Sequence, residues 1–374
     1  MRVLVVNAGS SSVKLRLLDD GDAIVAAGDL PVEQGEIDPA AVCAAVGELP
    51  RPDAVGHRVV HGGERFRAPI RIVPEVETAL RELTDLAPLH QPKSLAALDA
   101  VAAELPEVPA VACFDTAFHS TLAPAASTYA LPASWRDRFG VRRYGFHGLS
   151  HAYAARRAAE LLGDDDLRLV SCHLGAGASL AAIRGGRSID TTMGFTPLEG
   201  LVMATRSGSV DPGLLLWLLE REAMSEREMA SALENESGLV GLAGTGDMRE
   251  VVSQARGGSP AARLGVDVYV HRLRAGIAAM AAAIGGLDAL VFTGGVGENS
   301  SEVRALACEE LGFLGVAVDA ELNRSASGDM PIGTDDVRVA TLVVESREDL
   351  EIAAEVRHVL GANREATERT ETDA

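Results

Sequence analysis

The chain has 374 residues, 47% of them hydrophobic, enough for two domains with sizeable cores. A formal net charge of −20 argues against nucleic acid and anionic membranes as partners, so an anionic substrate must be gripped by local arginines against the overall field. No run reaches the ~18 apolar residues of a membrane span, and a chain that enters a strand at once is expected to carry no signal peptide. Cys43, Cys113, Cys172 and Cys308 form no CxxC pair and read as buried thiols of a cytoplasmic protein.

Residues 2–19 read as a buried strand, Val3 to Val6, ending on Asn7, then a Gly/Ser turn and a second strand. In that second strand Val13, Leu15 and Leu17 alternate with Lys14 and Arg16, the period of a half-buried strand. Small residues let backbone N–H groups approach an anion, and Ser10, Ser12 and Lys14 add donors and charge. An ordinary hairpin turn would look the same. No GK[ST] follows, so this is not a Walker loop. A third strand is expected near residues 23–26.

Residues 39–49 suggest a short helix, and residues 53–60 a strand leading into HRVVHGGE, with Arg58 at the strand end. A basic group there faces a cleft or a carboxylate; a histidine there, His57 or His61, is more often a satisfied structural residue. Helices are expected over 74–86 and 94–105 and a strand over 108–113. Asp115 follows at that strand's carboxyl end, where open α/β sheets place chemistry; it could equally cap the next turn. Residues 124–148 read as irregular, ending in RRYGFHGLSH, with His147 positioned and Ser150 as helix cap.

Residues 167–189 repeat the opening pattern: a strand ending on His173, the turn Gly175-Ala176-Gly177, a second strand, a Gly-Gly turn and a third strand. Such a repeat suggests two related halves. Residues 190–213 form a long, weakly polar segment carrying Pro197 and Arg206, uncommon unless functional. Asp211-Pro212 starts a helix. Ser225 and Glu228 make a capping box, and Gly238 can close that helix. Residues 245–250, with Asp247, Met248 and Arg249, read as a polar loop. Ser259-Pro260 opens a long helix towards Gly285. A third glycine run, FTGGVGENS, contributes Gly294, Gly295, Gly297 and Asn299, and Asn299 with Glu302 reads as a helix start. A last strand over 337–344 precedes a helix over 350–360, and residues 362–374 are polar.

In order, NAGSSSVK, HRVVHGGE, FDTAFH, YGFHGLSH, DTTMGFTPLEGL with ATRSGSVDPG, and FTGGVGENS resemble the acetate kinase family from Asn7 to Glu348. The resemblance implies an α/β, two-domain actin-like (ribonuclease H-like) fold with a duplicated core and a nucleotide cleft between domains. It implies a first domain over 1–117 completed by 350–363 and a nucleotide-binding domain over 118–349, while the polar composition of 364–374 reads as a disordered tail. The implied reaction is reversible transfer of the γ-phosphoryl group of ATP to acetate, giving acetyl phosphate and ADP, in a homodimer with Mg2+ (or Mn2+).

A carboxylate acceptor is already ionised at neutral pH, so positioning and charge neutralisation matter more than a strong base. By resemblance Arg58 and Arg206 grip the acetate carboxylate and the transferring group. His147 donates to that group, and Asp115 orients Arg58. Asn7 and Glu348 lie near the metal. Ser10, Ser12, Lys14, His173, Gly175, Ala176, Gly177, Asp247, Met248, Arg249, Gly294, Gly295, Gly297 and Asn299 surround the nucleotide. Val60, Leu89, Phe146 and Pro197 form the methyl pocket. The chain departs from the family where Ala176 replaces an asparagine, Met248 stands in a DFR-type motif, and Arg347 precedes Glu348. The first departure could weaken ATP binding or shift the phosphoryl donor. A propionate or short-chain acyl kinase, a kinase with another donor, and a catalytically silent nucleotide-binding module stay open.

Overall fold

The computed structural model describes residues 1–9, 12–32, 36–86, 91–221 and 224–372. It divides into two compact units, residues 1–120 with 347–374, and residues 121–346.

The first unit holds β1 (Val3–Ala8), β2 (Ser12–Leu18), β3 (Ile24–Pro31), α1 (Pro39–Gly47), β4 (Ala54–Val59), β5 (Ile70–Arg71), α2 (Pro74–Glu82), α3 (Gln91–Glu104) and β6 (Ala110–Phe114). The second holds α4 (Pro124–Ser127), α5 (Ala133–Phe139), α6 (Gly148–Leu162), β7 (Arg168–Leu174), β8 (Ala178–Arg184), β9 (Arg187–Thr191), α7 (Pro212–Arg221), α8 (Glu226–Asn235), α9 (Gly238–Ala243), α10 (Met248–Arg256) and α11 (Pro260–Ala283). It continues through β10 (Ala289–Thr293), α12 (Gly294–Asn299), α13 (Ser301–Cys308), α14 (Ala320–Ser325), β11 (Met330–Pro331) and β12 (Ala340–Val343). The chain then returns to the first unit as α15 (Glu348–Thr372).

Each unit is built on one mixed six-stranded sheet, ordered β3-β2-β1-β4-β6-β5 in the first and β11-β12-β10-β7-β8-β9 in the second. Reading the second from its β9 edge gives the same plan. Three antiparallel strands joined by tight turns are followed by two parallel ones, so the sequence repeat is a structural duplication.

In the first unit α1 and α3 cover one face, where Leu4, Val6, Val13, Leu15, Val42, Val46 and Val101 are closed off from water. Helix α15 packs on β1, β4 and β6. Gly56 makes this approach possible: a Cβ there would lie 2.5 Å from Ile352 Cγ2 and 2.7 Å from Val356 Cγ2. Side chains on one face of a strand recur every second residue, so Arg58 shares the face of Gly56. Its β6 register partner is Cys113, two residues before Asp115. The helix that seals this face therefore brings its first residue, Glu348, to the strand ends.

Glu355 of α15 is half-buried on the face that packs against β6. Burial pushes its carboxyl up to about 8, the Cys113 hydrogen bond opposes this, and the Glu351 and Asp115 charges reinforce it. Relative to an ordinary 4.5, its stabilising contribution is complete below pH 4.5 and is lost as pH rises to about 8. His57 and His61, both pushed down to about 4 by burial, act oppositely, losing stability as pH falls below their ordinary 6.5. From pH 6.5 to 8 the Glu355 contribution therefore falls while those of His57 and His61 are close to complete. Urea unfolding there is expected to show stability falling with pH by up to about 1.4 kcal/mol per unit, and Glu355→Gln to flatten the slope. Equal slopes in both proteins would refute this reading.

The structure departs from the sequence reading in local ways. Residues 124–148 contain two short helices, α4 and α5, each begun by a proline-bearing turn. The residue at the head of α6 is His147, and Ser150 bonds elsewhere. Asp247 caps α10, so Met248 and Arg249 are helical. Helix α8 ends at Asn235, and Gly238 opens α9 instead of closing α8. A helix already begins at Gly294, directly after β10, and Ser300, not Asn299, caps the next one. Helix α15 runs through residues 361–372. The Ser225–Glu228 capping box is present in both directions.

Candidate active site

In the first unit the carboxyl ends of the parallel strands β1, β4 and β6 carry the polar residues. Asn7 is the penultimate residue of β1 and Arg58 of β4, and Val6 pairs with His57, so the two are register neighbours. Asp115 follows β6, and its N–H donates to the Val59 carbonyl. Arg58 Nε and Nη2 donate to the two Asp115 oxygens at 2.9 and 2.6 Å, a fork-on-fork pair. Arg58 Nη1 donates to Asn7 Oδ1 at 3.1 Å, and Asn7 Nδ2 donates to Glu348 Oε2 at 2.6 Å. Burial works against the Arg58 charge. The Asp115 and Glu348 carboxylates outweigh it and hold the guanidinium more basic than usual.

The chain Glu348–Asn7–Arg58–Asp115 thus fixes one permanent cation at the strand ends. Arg347 is folded onto Asp349 by hydrogen bonds of 2.9, 3.3 and 2.8 Å, so its charge is locally matched. Ser12 begins β2 and its carbonyl accepts from Gly9, closing the first turn. Lys14 is exposed and pairs in register with Asp29. Val60 is buried. Ser10 and Leu89 lie outside the described residues.

In the second unit the penultimate residue of β7 is His173, the counterpart of Asn7. Its ring lies against that of His147, with centroids 4.3 Å apart, and its Nδ1 bonds Ser150 Oγ at 2.8 Å. His147 has φ 57°, a left-handed conformation rare for a side-chain-bearing residue and typical of functional sites. A Cβ on Gly177 would lie 3.2 Å from His147 Nε2 and 3.6 Å from Arg206 Nη1, so glycine there keeps open the space that both groups face. Gly175 donates to the Gly177 carbonyl, and the Ala176 carbonyl accepts from Ala204, which leaves the exposed Ala176 methyl outward. Gly294 takes φ 78°, where a Cβ would meet the Leu174 backbone at 2.9 Å. The third glycine run, with Gly295, Gly297 and Asn299 on α12, is thereby seated against the β7 turn, and Asn299 Nδ2 donates to the Gly295 carbonyl.

Arg206 Nη1 donates to the Pro197 carbonyl at 3.0 Å, and its Nε lies 3.3 Å from Glu234 Oε2. Burial pushes Arg206 down and Glu234 up, each against the partner's attraction, so this pair does not offset its own desolvation. An anion reaching Arg206 would add a favourable charge beside it. Phe146 and Pro197 are buried. Asp247 and Arg249 pair with each other at the head of α10 through a hydrogen bond of 2.6 Å, and Met248 is buried beside them.

Four polar residues of this unit escaped the sequence reading: Glu234, Ser171, Ser179 and His151. The spacing of His147 and His151, four apart at the head of a helix, was the available signal. Among the described residues no group of three or more His, Cys, Asp or Glu could hold a metal, and no helix is long and apolar enough to cross a membrane.

A sequence model of the Acetokinase family matches residues 42–354. The chain is 47% identical over 394 residues to the acetate kinase of Deinococcus deserti, covering 97% of this chain and 98% of that protein. It is 53% identical over 307 residues to that of Gloeobacter violaceus, covering 81% and 76%. Among solved structures it is similar to Porphyromonas gingivalis acetate kinase (TM-score 0.88, 37% identity, 96% of this chain and 99% of that one). A propionate kinase from Francisella tularensis gives TM-score 0.88 at 33% identity, with the same coverage. With two sheets of one plan, these strand-end residues and this similarity along nearly its whole length, the chain belongs to the acetokinase family.

Proposed function

We propose that the protein is an acetate kinase, transferring the γ-phosphoryl group of ATP directly and reversibly to the acetate carboxylate. The observation that carries this reading is the Arg58 clamp: a guanidinium fixed by Asp115 and tied through Asn7 to Glu348. Such a cation suits an acceptor that arrives already ionised and needs neutralising, not deprotonating. Arg58 binds and orients the carboxylate. Arg206 and His147 donate to the oxygens of the group in transfer, and the two glycine turns of the second unit take the nucleotide phosphates. Val60, Leu89, Phe146 and Pro197 are assigned to the acyl chain.

The donors at Asn7 and Glu348 fit Mg2+. One carboxylate and one amide oxygen, without an all-protein cage, is the set expected for a cation that keeps waters and shares nucleotide phosphates. When bound, Mg2+ would neutralise phosphate charge. A homodimer is supported by α7, which leaves Leu214, Leu216 and Trp217 exposed on one short helix. The free cysteines support a cytoplasmic setting.

The test is a hydroxamate assay with purified protein, acetate, ATP and Mg2+, trapping acetyl phosphate with hydroxylamine. Acetate- and ATP-dependent product is expected; no product with ATP binding intact would overturn the reading. The similarity to a propionate kinase makes propionate the second acid to compare by kcat/KM, since one methylene is worth only ~1–3 kcal/mol of discrimination. For the donor, Ala176→Asn is expected to lower the nucleotide KM, because the outward side chain has room to add an amide donor. An unchanged or higher KM would count against a role for this position.

A further inference from the structure

Behind His147 runs a line of hydrogen bonds into the interior of the second unit. His147 Nδ1 bonds Ser179 Oγ at 2.9 Å. The same Ser179 Oγ bonds His151 Nε2 at 2.8 Å, and His151 Nδ1 bonds Ser171 Oγ at 2.9 Å. The fold places these groups together. Ser171 and Ser179 project from the β7–β8 face beneath α6, and His147 and His151 are one helical turn apart, with the His151 N–H on the His147 carbonyl. Ser171, Ser179 and His151 are 0% exposed, whereas His147 is half-buried at the open space by Gly177.

Counting protons gives the line a direction. Among the described residues the Ser171 hydroxyl meets one hydrogen-bonding atom, His151 Nδ1. If that nitrogen carried a proton, the Ser171 proton would have no acceptor in a place closed to water, which is costly. So Ser171 donates to His151 Nδ1, and the His151 proton sits on Nε2. That N–H donates to Ser179 Oγ. Ser179 has one proton and gives it to His147 Nδ1. His147 must then carry its own proton on Nε2, the nitrogen that faces Gly177 and Arg206.

We propose that Ser179, His151 and Ser171 are positioning residues that lock His147 in the Nε2–H tautomer, so that it meets the phosphoryl oxygens as a donor. This rests on the acetate kinase reading for its catalytic consequence, though the tautomer itself does not. Ser171 acts through two intermediaries and touches no reacting group.

The experiment is long-range 1H–15N correlation of the histidine side chains in the full chain, without substrate, with His147 assigned from His147→Gln, alongside steady-state kinetics. The expected result is a pyridine-type Nδ1 and a pyrrole-type Nε2 for His147 in the unaltered protein. Ser179→Ala and Ser171→Ala should both give mixed tautomers. Ser179→Ala should lower kcat about tenfold, the ratio that one hydrogen bond sustains, with KM values little changed. Ser179→Thr, which keeps the hydroxyl, should restore both readouts. A proton on Nδ1 in the unaltered protein overturns the proposal. So does an Nε2–H signal that neither alanine variant moves, or a tautomer that moves without any change in kcat. Should the tautomer shift as expected while the unaltered protein makes no acetyl phosphate, the functional reading fails and the lock stands.

Discussion

Arg206→Ala is expected to lower kcat about a thousandfold, the scale of an arginine that meets a transferring phosphoryl group, while leaving the fold intact. The expectation of an intact fold follows from the pairing. Arg206 donates to the Pro197 carbonyl, its Nε lies 3.3 Å from Glu234, and burial already raises the Glu234 pKa. With the guanidinium gone, Glu234 can take up a proton in place of standing as an unmatched charge. Urea midpoints should therefore move little, and KM for acetate should change less than kcat. The hydroxamate assay and equilibrium unfolding together check this. Turnover within a few-fold of the unaltered enzyme would remove Arg206 from the chemistry.

Arg58→Ala should damage both activity and stability. Asp115 is 1% exposed and accepts from Arg58 on both oxygens, so truncating the arginine takes a forked countercharge from an interior carboxylate, at about 3–5 kcal/mol. Loss of the fixed cation should lower kcat by about 10²–10³. The two effects can be separated. Arg58→Ala with Asp115→Ala removes the buried carboxylate as well, so stability should recover while activity does not. Asp115→Ala alone leaves the cation but frees its orientation, and should cost less activity than Arg58→Ala. Recovery of activity in the double variant would mean that Arg58 serves the fold and not the reaction.

The contrast between these two arginines marks what the sequence could and could not disclose. Both could be read as chemistry-bearing, because packing alone gives little reason to keep a basic group at a strand end or in a long weakly polar segment. The sheets were legible too. Val3–Val6 is an unbroken apolar run and Leu169–Cys172 one interrupted only by Ser171, both closed by glycine turns, and repetition turned two weak signals into one architecture. What each arginine leans on was hidden. Asp115 lies 57 residues from Arg58 along the chain and was visible only through its place after a strand. Glu234 belongs to an amphipathic capped helix where a glutamate looks like surface. Ser171 and Ser179 read as incidental polar residues in strands, since nothing local says that a helix lays His151 across them. The short helices α4 and α5 were missed for a related reason: each starts at or just after a proline, where a proline-rich stretch reads as loop although Pro suits a first helical turn.

Helix α15 has a consequence for how the protein comes into being. A ribosome delivers the second sheet and all its helices as one uninterrupted stretch, residues 121–346, but the first sheet emerges without the segment that covers one of its faces. Domains generally fold as units during synthesis. Here the earlier-made half stays incomplete until the later-made half has been finished, because Ile352 and Val356 close over Gly56 only at the end. The same segment brings Glu348 to Asn7 across 341 residues of chain. A nascent chain stopped at Ser346 has Asn7, Arg58 and Asp115 but not the carboxylate at the head of their line, so that line is completed only once the segment after Ser346 has been made.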